Sequence, residues 1–135
     1  QWQHLARGHV RLITVAAESD NVIDFIKHCA SNNIVVSLGH QLANTEEVDA
    51  AIESGARAMT HLGNGLPNLV HRHKNIIWKG LSDDRLSIMI ITDGNHLPPR
   101  FDSRHVKLCN PLLSLATLPR LQDYRMGLTI ALGQR

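Results

Sequence analysis

The sequence predicts an α/β fold built on a parallel sheet. Three observations carry this. Short runs rich in Val, Ile and Leu recur along the chain, and each is followed by a segment whose apolar residues repeat at helical spacing. Run follows run at about 23 residues, the length of a strand-helix unit rather than a hairpin. The runs are apolar almost throughout, which suits parallel strands covered on both faces.

Val10 to Ala16 (VRLITVA) is β-branched and reads as the first strand. Ser19-Asp20 then predicts a helix start, with Val22, Ile23, Phe25, Ile26 and Cys29 on the apolar face and Ser31-Asn32-Asn33 at its end. Ile34 to Leu38 (IVVSL) is the second strand, stopped by Gly39-His40. Asn44 and Glu47 have capping-box spacing, and Val48, Ala51 and Ile52 give the next helix its buried face, with Gly55 placed as the residue after its C-terminus. Ala56 to Thr60 takes its assignment as a third strand mainly from its place in the rhythm. A polar stretch from Gly63 to about Asn75 leads to a short helix or turn over Ile76 to Leu81, and Leu86 to Thr92 (LSIMIIT) is the fourth strand. Beyond Pro98-Pro99 the rhythm stops. Leu112, Leu113, Leu115 and Leu118 predict a short helix before Pro119, and Leu128 to Leu132 a terminal strand, with no chemistry attached to either.

Composition bounds what such a chain can do. Its 135 residues, 43% of them hydrophobic, suffice for one modest core. They exclude two full domains and a whole (β/α)₈ barrel, which needs roughly 250 residues. A net charge of +2 with scattered basic residues offers no stripe for tracking nucleic-acid phosphates. No apolar run approaches the roughly 18 residues of a membrane span. Two cysteines are too few for a disulfide framework, so a soluble, cytoplasmic protein is expected. Gln1 in place of an initiator Met leads us to expect that the sequence starts inside a longer chain.

The unusual count is nine histidines. In parallel α/β folds ligands bind beyond the carboxyl ends of the strands. Three histidines fall there: His40 after IVVSLG, His61 at the end of RAMT, and His96 after IMIITDGN. Parallel neighbours lie about 4.8 Å apart, so imidazoles ending consecutive strands reach one ion. A lone strand-end histidine caps a carbonyl or faces solvent more often than it binds; the case for an ion rests on their number. Gly63-Asn64-Gly65 directly follows His61, where glycines let the backbone approach a ligand and Asn64 offers both a donor and an acceptor. Arg72, between His71 and His73 with Lys74 next, forms a local cationic cluster. It suits a phosphate or carboxylate, although a solvated loop has the same composition.

Four blocks in this order resemble the N-acetylglucosamine-6-phosphate deacetylase family of the amidohydrolase superfamily: Val10 to Glu18, Val35 to Ala43, Thr60 to Leu69 (THLGNGLPNL) and Ile91 to Pro99 (ITDGNHLPP). The resemblance implies a partial (β/α)₈ barrel of about four consecutive βα units over residues 1–99, with a divergent tail over 100–135. It implies that His40 and His61 ligate a divalent metal (zinc, with iron or another divalent ion as the alternative). Asn64, Gly65, Asp93, Gly94, Asn95 and His96 then contact an amino-sugar phosphate, and Arg72 its phosphate. The family reaction is metal-assisted hydrolysis of the N-acetyl group, and the family tends to homodimerise. Two family residues are missing here, a glutamate ligand on the preceding strand and a catalytic aspartate in a later one. Glu18 lies in the wrong block to replace the first, and neither Asp102 nor Asp123 matches the second. The chain alone is therefore expected to be inactive, with two open sheet edges that invite self-association. The alternative is a non-catalytic phosphosugar-binding or oligomerising module closed by its tail.

Overall fold

Gln3 fastens the start of the chain to the first strand. Its side-chain Nε2 donates to Val10 O at 2.9 Å and its Oε1 accepts from Val10 N at 3.0 Å. Gln3 belongs to a four-residue helix, α1 (Trp2–Leu5), too short for a sequence period to reveal. The computed structural model describes residues 2–91, 95 and 96, and the backbone of 113–115 and 130–132.

Strand and helix then alternate as expected: β1 (Val10–Val15), α2 (Val22–Ser31), β2 (Val35–Leu38), α3 (Thr45–Glu53), β3 (Ala58–Met59), α4 (Ile76–Ser82) and β4 (Ser87–Ile91). Asn21, with φ of 57°, starts α2 in place of Ser19-Asp20; asparagine tolerates this left-handed backbone better than most residues. At α3 the capping box forms in full, Glu47 N donating to Asn44 Oδ1 and Asn44 N to Glu47 Oε2, both at 2.8 Å. Asn75 caps α4 by accepting from Ile77 N and Trp78 N. β3 is only two residues long, yet Arg57 N to Val36 O and Thr60 N to Leu38 O carry its pairing one residue further on each side.

The four strands pair in parallel and in sequential order, with Val15 level with Leu38, Leu38 with Met59, and Met59 with Ile88. The order decides the architecture. An open doubly wound sheet reverses direction at a switch point, whereas a barrel adds each strand on the same side of the last. This is the barrel arrangement, and the described residues hold four consecutive strands of it with the three helices between them.

The two faces of the sheet differ. Ile13, Val36, Leu38, Met59, Ile88 and Ile90 join one apolar cluster with Val22, Ile26 and Cys29 of α2, Val48, Ala51 and Ile52 of α3, and Ile76 of α4. Each large aliphatic side chain sealed there contributes about 1.5–3 kcal/mol. The alternate residues Thr14, Ser37, Ala58 and Thr60 stay outside that cluster, and on their side of β2 Val35 is 43% exposed. Among the described residues the helices cover one face; on the other Thr14, Ser37, Ala58, Thr60, Met89 and Ile91 are buried as well, the burial on both faces that the uniform strands suggested.

Two short strands from the tail occupy the sheet edges. β5 (Leu113–Leu115) runs parallel to β4, and β6 (Ile130–Leu132) runs antiparallel to β1, giving the order β5-β4-β3-β2-β1-β6. The helix expected around residues 112–118 is thus corrected to a strand over 113–115. Leucines at 113 and 115 fit a two-residue period as well as a helical one, and pairing with the open edge of β4 decides between them. The open edges of β1 and β4 are accordingly paired. Of the terminal strand expected over Leu128 to Leu132, Ile130–Leu132 form β6, and 128 and 129 lie outside the described residues.

A charged network ties the helices to the loop before β4. Lys79 of α4 bridges Asp49 of α3 and Asp83, while Arg85 reaches Glu53 of α3 and grips both oxygens of Asp83. The Arg85 guanidinium, helped by Arg85 N and Lys79, holds the Asp83 carboxyl well below the usual carboxylate range. A depressed carboxylate adds stability that is complete above its unfolded value near pH 4 and fades as pH falls further. Asp83→Asn should therefore cost about 1 kcal/mol at pH 7, read as a lower urea midpoint, and the gap to the unsubstituted protein should close progressively below about pH 4.

Candidate functional site

The aligned register places the ends of β2 and β3 side by side. Gly39 follows β2, and a Cβ there would lie 2.9 Å from Thr60 Cβ and 3.1 Å from Thr14 Cγ2. Only glycine lets the three strand ends approach this closely. Next in each chain segment comes a histidine with left-handed backbone, His40 at φ 53° and His61 at φ 32°. Both turn from the strand direction, and their Nε2 atoms meet at 2.6 Å, with ring centroids 4.5 Å apart.

The two imidazoles differ in environment. His40 is exposed and His61 half-buried. Burial, and after it electrostatic interaction with His40 and His96, pushes the His61 pKa below its ordinary value. His61 is accordingly neutral at pH 7, the form in which imidazole ligates a metal. Its Nδ1 is buried with no hydrogen-bond partner among the described residues. The electrostatic effect of His96 on His61 also places the third strand-end histidine near the pair.

Two convergent imidazole nitrogens suit a borderline-soft divalent ion. At 2.6 Å they stand closer than two nitrogens on one zinc, which lie about 3.3 Å apart in tetrahedral coordination. Ligation therefore needs a small ring rotation. Among the described residues no group of three His, Cys, Asp or Glu side chains gathers for a metal. The donor chemistry fits two positions of a metal site.

The segment after His61 folds back over the pair. Asn64 N donates to His61 O at 2.9 Å, and Gly65, at φ 82°, passes so near that a Cβ on it would lie 3.6 Å from His40 Cα. Positive φ is what turns this loop inward, and Gly65 adopts it without strain. Asn64 and Gly65 are exposed beside the histidines. Arg72 sits apart, on a loop stitched to α4. Its carbonyl accepts from Trp78 Nε1 at 2.9 Å, while His71 Nδ1 accepts from His73 N and Lys74 N. The backbone is held and the Arg72 side chain is exposed. Asn95 and His96 are exposed past the end of β4, while Asp93 and Gly94 lie outside the described residues.

The motif reading missed a buried hydroxyl cluster beneath the histidines. Thr60 Oγ1 bonds Ser37 Oγ at 2.6 Å and Thr14 Oγ1 at 2.9 Å, and all three residues are buried. A signal was available: each of three consecutive apolar strands carries one hydroxyl residue on the face away from the helices. Buried hydroxyls need partners, and here they satisfy one another across three strands.

Sequential parallel strands with intervening helices define a section of a (β/α)₈ barrel, a fold whose ligand sites lie at the C-terminal rim where these histidines stand. Relatives name the family. The chain is 33% identical to N-acetylglucosamine-6-phosphate deacetylase of Bacillus subtilis over 99 residues, 73% of this chain and 25% of the relative. It is 33% identical to N-acetylgalactosamine-6-phosphate deacetylase of Escherichia coli O157:H7 over 90 residues, 67% of this chain and 24% of the relative. The crystal structure of N-acetyl-D-glucosamine-6-phosphate deacetylase from Mycobacterium smegmatis superposes with a TM-score of 0.73 and 28% identity, covering 84% of this chain and 33% of that one. A variant of that enzyme, solved in complex with N-acetyl-D-glucosamine-6-phosphate, matches with a TM-score of 0.70 and 29% identity over 79% of this chain and 28% of its own. No family model matches. The chain belongs to the N-acetylglucosamine-6-phosphate deacetylase family, and it spans about a quarter of the length of the curated relatives it matches.

The hydroxyl cluster yields a stability test. Thr60→Val keeps the shape but strands the Thr14 and Ser37 hydroxyls, and should cost about 1–3 kcal/mol, measured by urea unfolding.

Proposed function

We propose that this chain is the middle section of an amino-sugar-phosphate deacetylase site, with residues 1–99 as the barrel section and 100–135 as the tail. The observation that carries this reading is the 2.6 Å approach of His40 Nε2 and His61 Nε2 at the ends of consecutive strands. His40 and His61 hold a divalent metal, zinc or iron, which when bound polarises an amide carbonyl and lowers the pKa of its water. Asn64 and Gly65, beside the pair, line the sugar pocket together with Asp93, Gly94, Asn95 and His96. Arg72 pairs with the phosphate, and the anchored backbone of its loop limits the entropy lost on binding. The substrate class is an N-acetyl amino-sugar 6-phosphate. Relatives named for both the glucosamine and the galactosamine compounds support that breadth.

The chain alone does not turn over this substrate. Its two imidazoles lack the family's carboxylate ligand, and no residue here matches the family aspartate that moves the proton. The family resemblance implies a cytoplasmic homodimer as the parent assembly. Among the described residues no helix is long and apolar enough to cross a membrane.

A second reading is favoured by one observation. Strands from the tail pair with both β1 and β4, the edges where further barrel strands would add. A sheet capped in this way suits a non-catalytic phosphosugar-binding or oligomerising module.

Isothermal titration with Zn²⁺ should show weak binding that His40→Ala with His61→Ala abolishes; binding unchanged in that double variant overturns the ligand assignment. Acetate release from N-acetylglucosamine 6-phosphate should not exceed a metal-only control. Turnover above that level would overturn the claim that the carboxylates are missing.

A further inference from the structure

His40 holds a backbone φ of 53°, a left-handed conformation that costs a residue with a side chain about 1–2 kcal/mol. Such geometry persists where its surroundings over-determine it. Both flanks of His40 are tied to one place, the C-terminal end of β1. Before it, Gly39 N donates to Val15 O at 3.0 Å. After it come two reciprocal bonds: Ala17 N donates to Gln41 Oε1 at 3.1 Å, and Leu42 N donates to Glu18 Oε1 at 2.6 Å. Each strand end gives a backbone N–H to a side chain of the other.

Gln41 is 2% exposed, an unusual burial for glutamine. Ala17 N can only donate, so the Gln41 amide must turn Oε1 toward it. That orientation leaves Nε2 buried with no hydrogen-bond partner among the described residues. A leucine would fill the same space without a stranded donor, and would leave Ala17 N unpaired. What glutamine adds here is the hold on the end of β1.

We infer that Gln41 and Glu18 are positioning residues, a two-bond clasp between the ends of β1 and β2 that sets His40 opposite His61 before any ion arrives. The inference rests on the reading of the two histidines as ligands. It also gives Glu18, which lies in the wrong block to be a ligand, a role that needs no contact with the ion. Rigid support of this kind determines affinity because a ligand already in place loses no freedom on binding.

The test uses the full chain with Co²⁺ as probe, followed by its visible absorbance. Alongside it, ¹H–¹⁵N spectra of the His40 and His61 rings are recorded in the ion-free protein. Gln41→Leu should weaken Co²⁺ binding about tenfold and shift both ring spectra. Glu18→Ala should act in the same direction, and Glu18→Gln, which keeps an acceptor for Leu42 N, should restore both readouts. Wild-type affinity and ring spectra in Gln41→Leu and Glu18→Ala overturn the clasp, as does a loss in Glu18→Ala that Glu18→Gln fails to repair. If Gln41→Leu does not fold, the exposed Glu18 pair of variants decides alone. If the unsubstituted chain binds no Co²⁺, the ligand reading falls. The ring spectra of the ion-free variants still decide the clasp, shifted supporting it and unchanged overturning it.

Discussion

The parallel register of β1 to β4 is the constraint on which everything else depends. Val15, Leu38, Met59 and Ile88 stand level across four strands, so the residues just past β2 and β3 emerge at one rim. A slip of one residue in any pair would turn the alternating side chains to the opposite face. The apolar half would leave the helices, and Thr14, Ser37 and Thr60 would lose one another. Register is held from both faces, by the cluster under α2, α3 and α4 and by the three linked hydroxyls.

Polar and apolar burial thus divide the work. The helix-covered face supplies most of the favourable free energy through side chains such as Ile26, Leu38, Val48 and Ile52, all nearly inaccessible. The other face carries hydroxyls that contribute little net stability but allow few alternative arrangements, because each needs its partner. Immediately above them the backbone turns left-handed at His40 and again at His61. These two left-handed residues stand at the rim, where their imidazoles meet, and the rigid sheet beneath sustains them. The Lys79–Asp83–Arg85 network does a separate task, holding α4 and the entry to β4 against α3.

The tail departs most from expectation. Two three-residue strands take the edges of β1 and β4, where an unfinished barrel would expose unpaired N–H and C=O groups. Edge pairing is mainly a backbone interaction, open to almost any short extended segment. For that reason Leu113–Leu115 carried no strand signal distinct from a helical one.

Local patterns were legible without coordinates. The four strands, the three longer helices, the capping box at Asn44 and Glu47, and the histidines at strand ends all depend on residue type and short spacing, which propensity and period report directly. Four motif blocks were enough to point to the family. Tertiary structure decided what depends on distant residues meeting: the sequential strand order, the face that the described helices cover, the 2.6 Å approach of His40 to His61, and the bonds of Thr60 to residues on two other strands. Gln41 and Glu18 show the reason most plainly. Each looks like an ordinary polar loop residue along the chain, and their reciprocal bonds exist only because the parallel register sets the ends of β1 and β2 side by side.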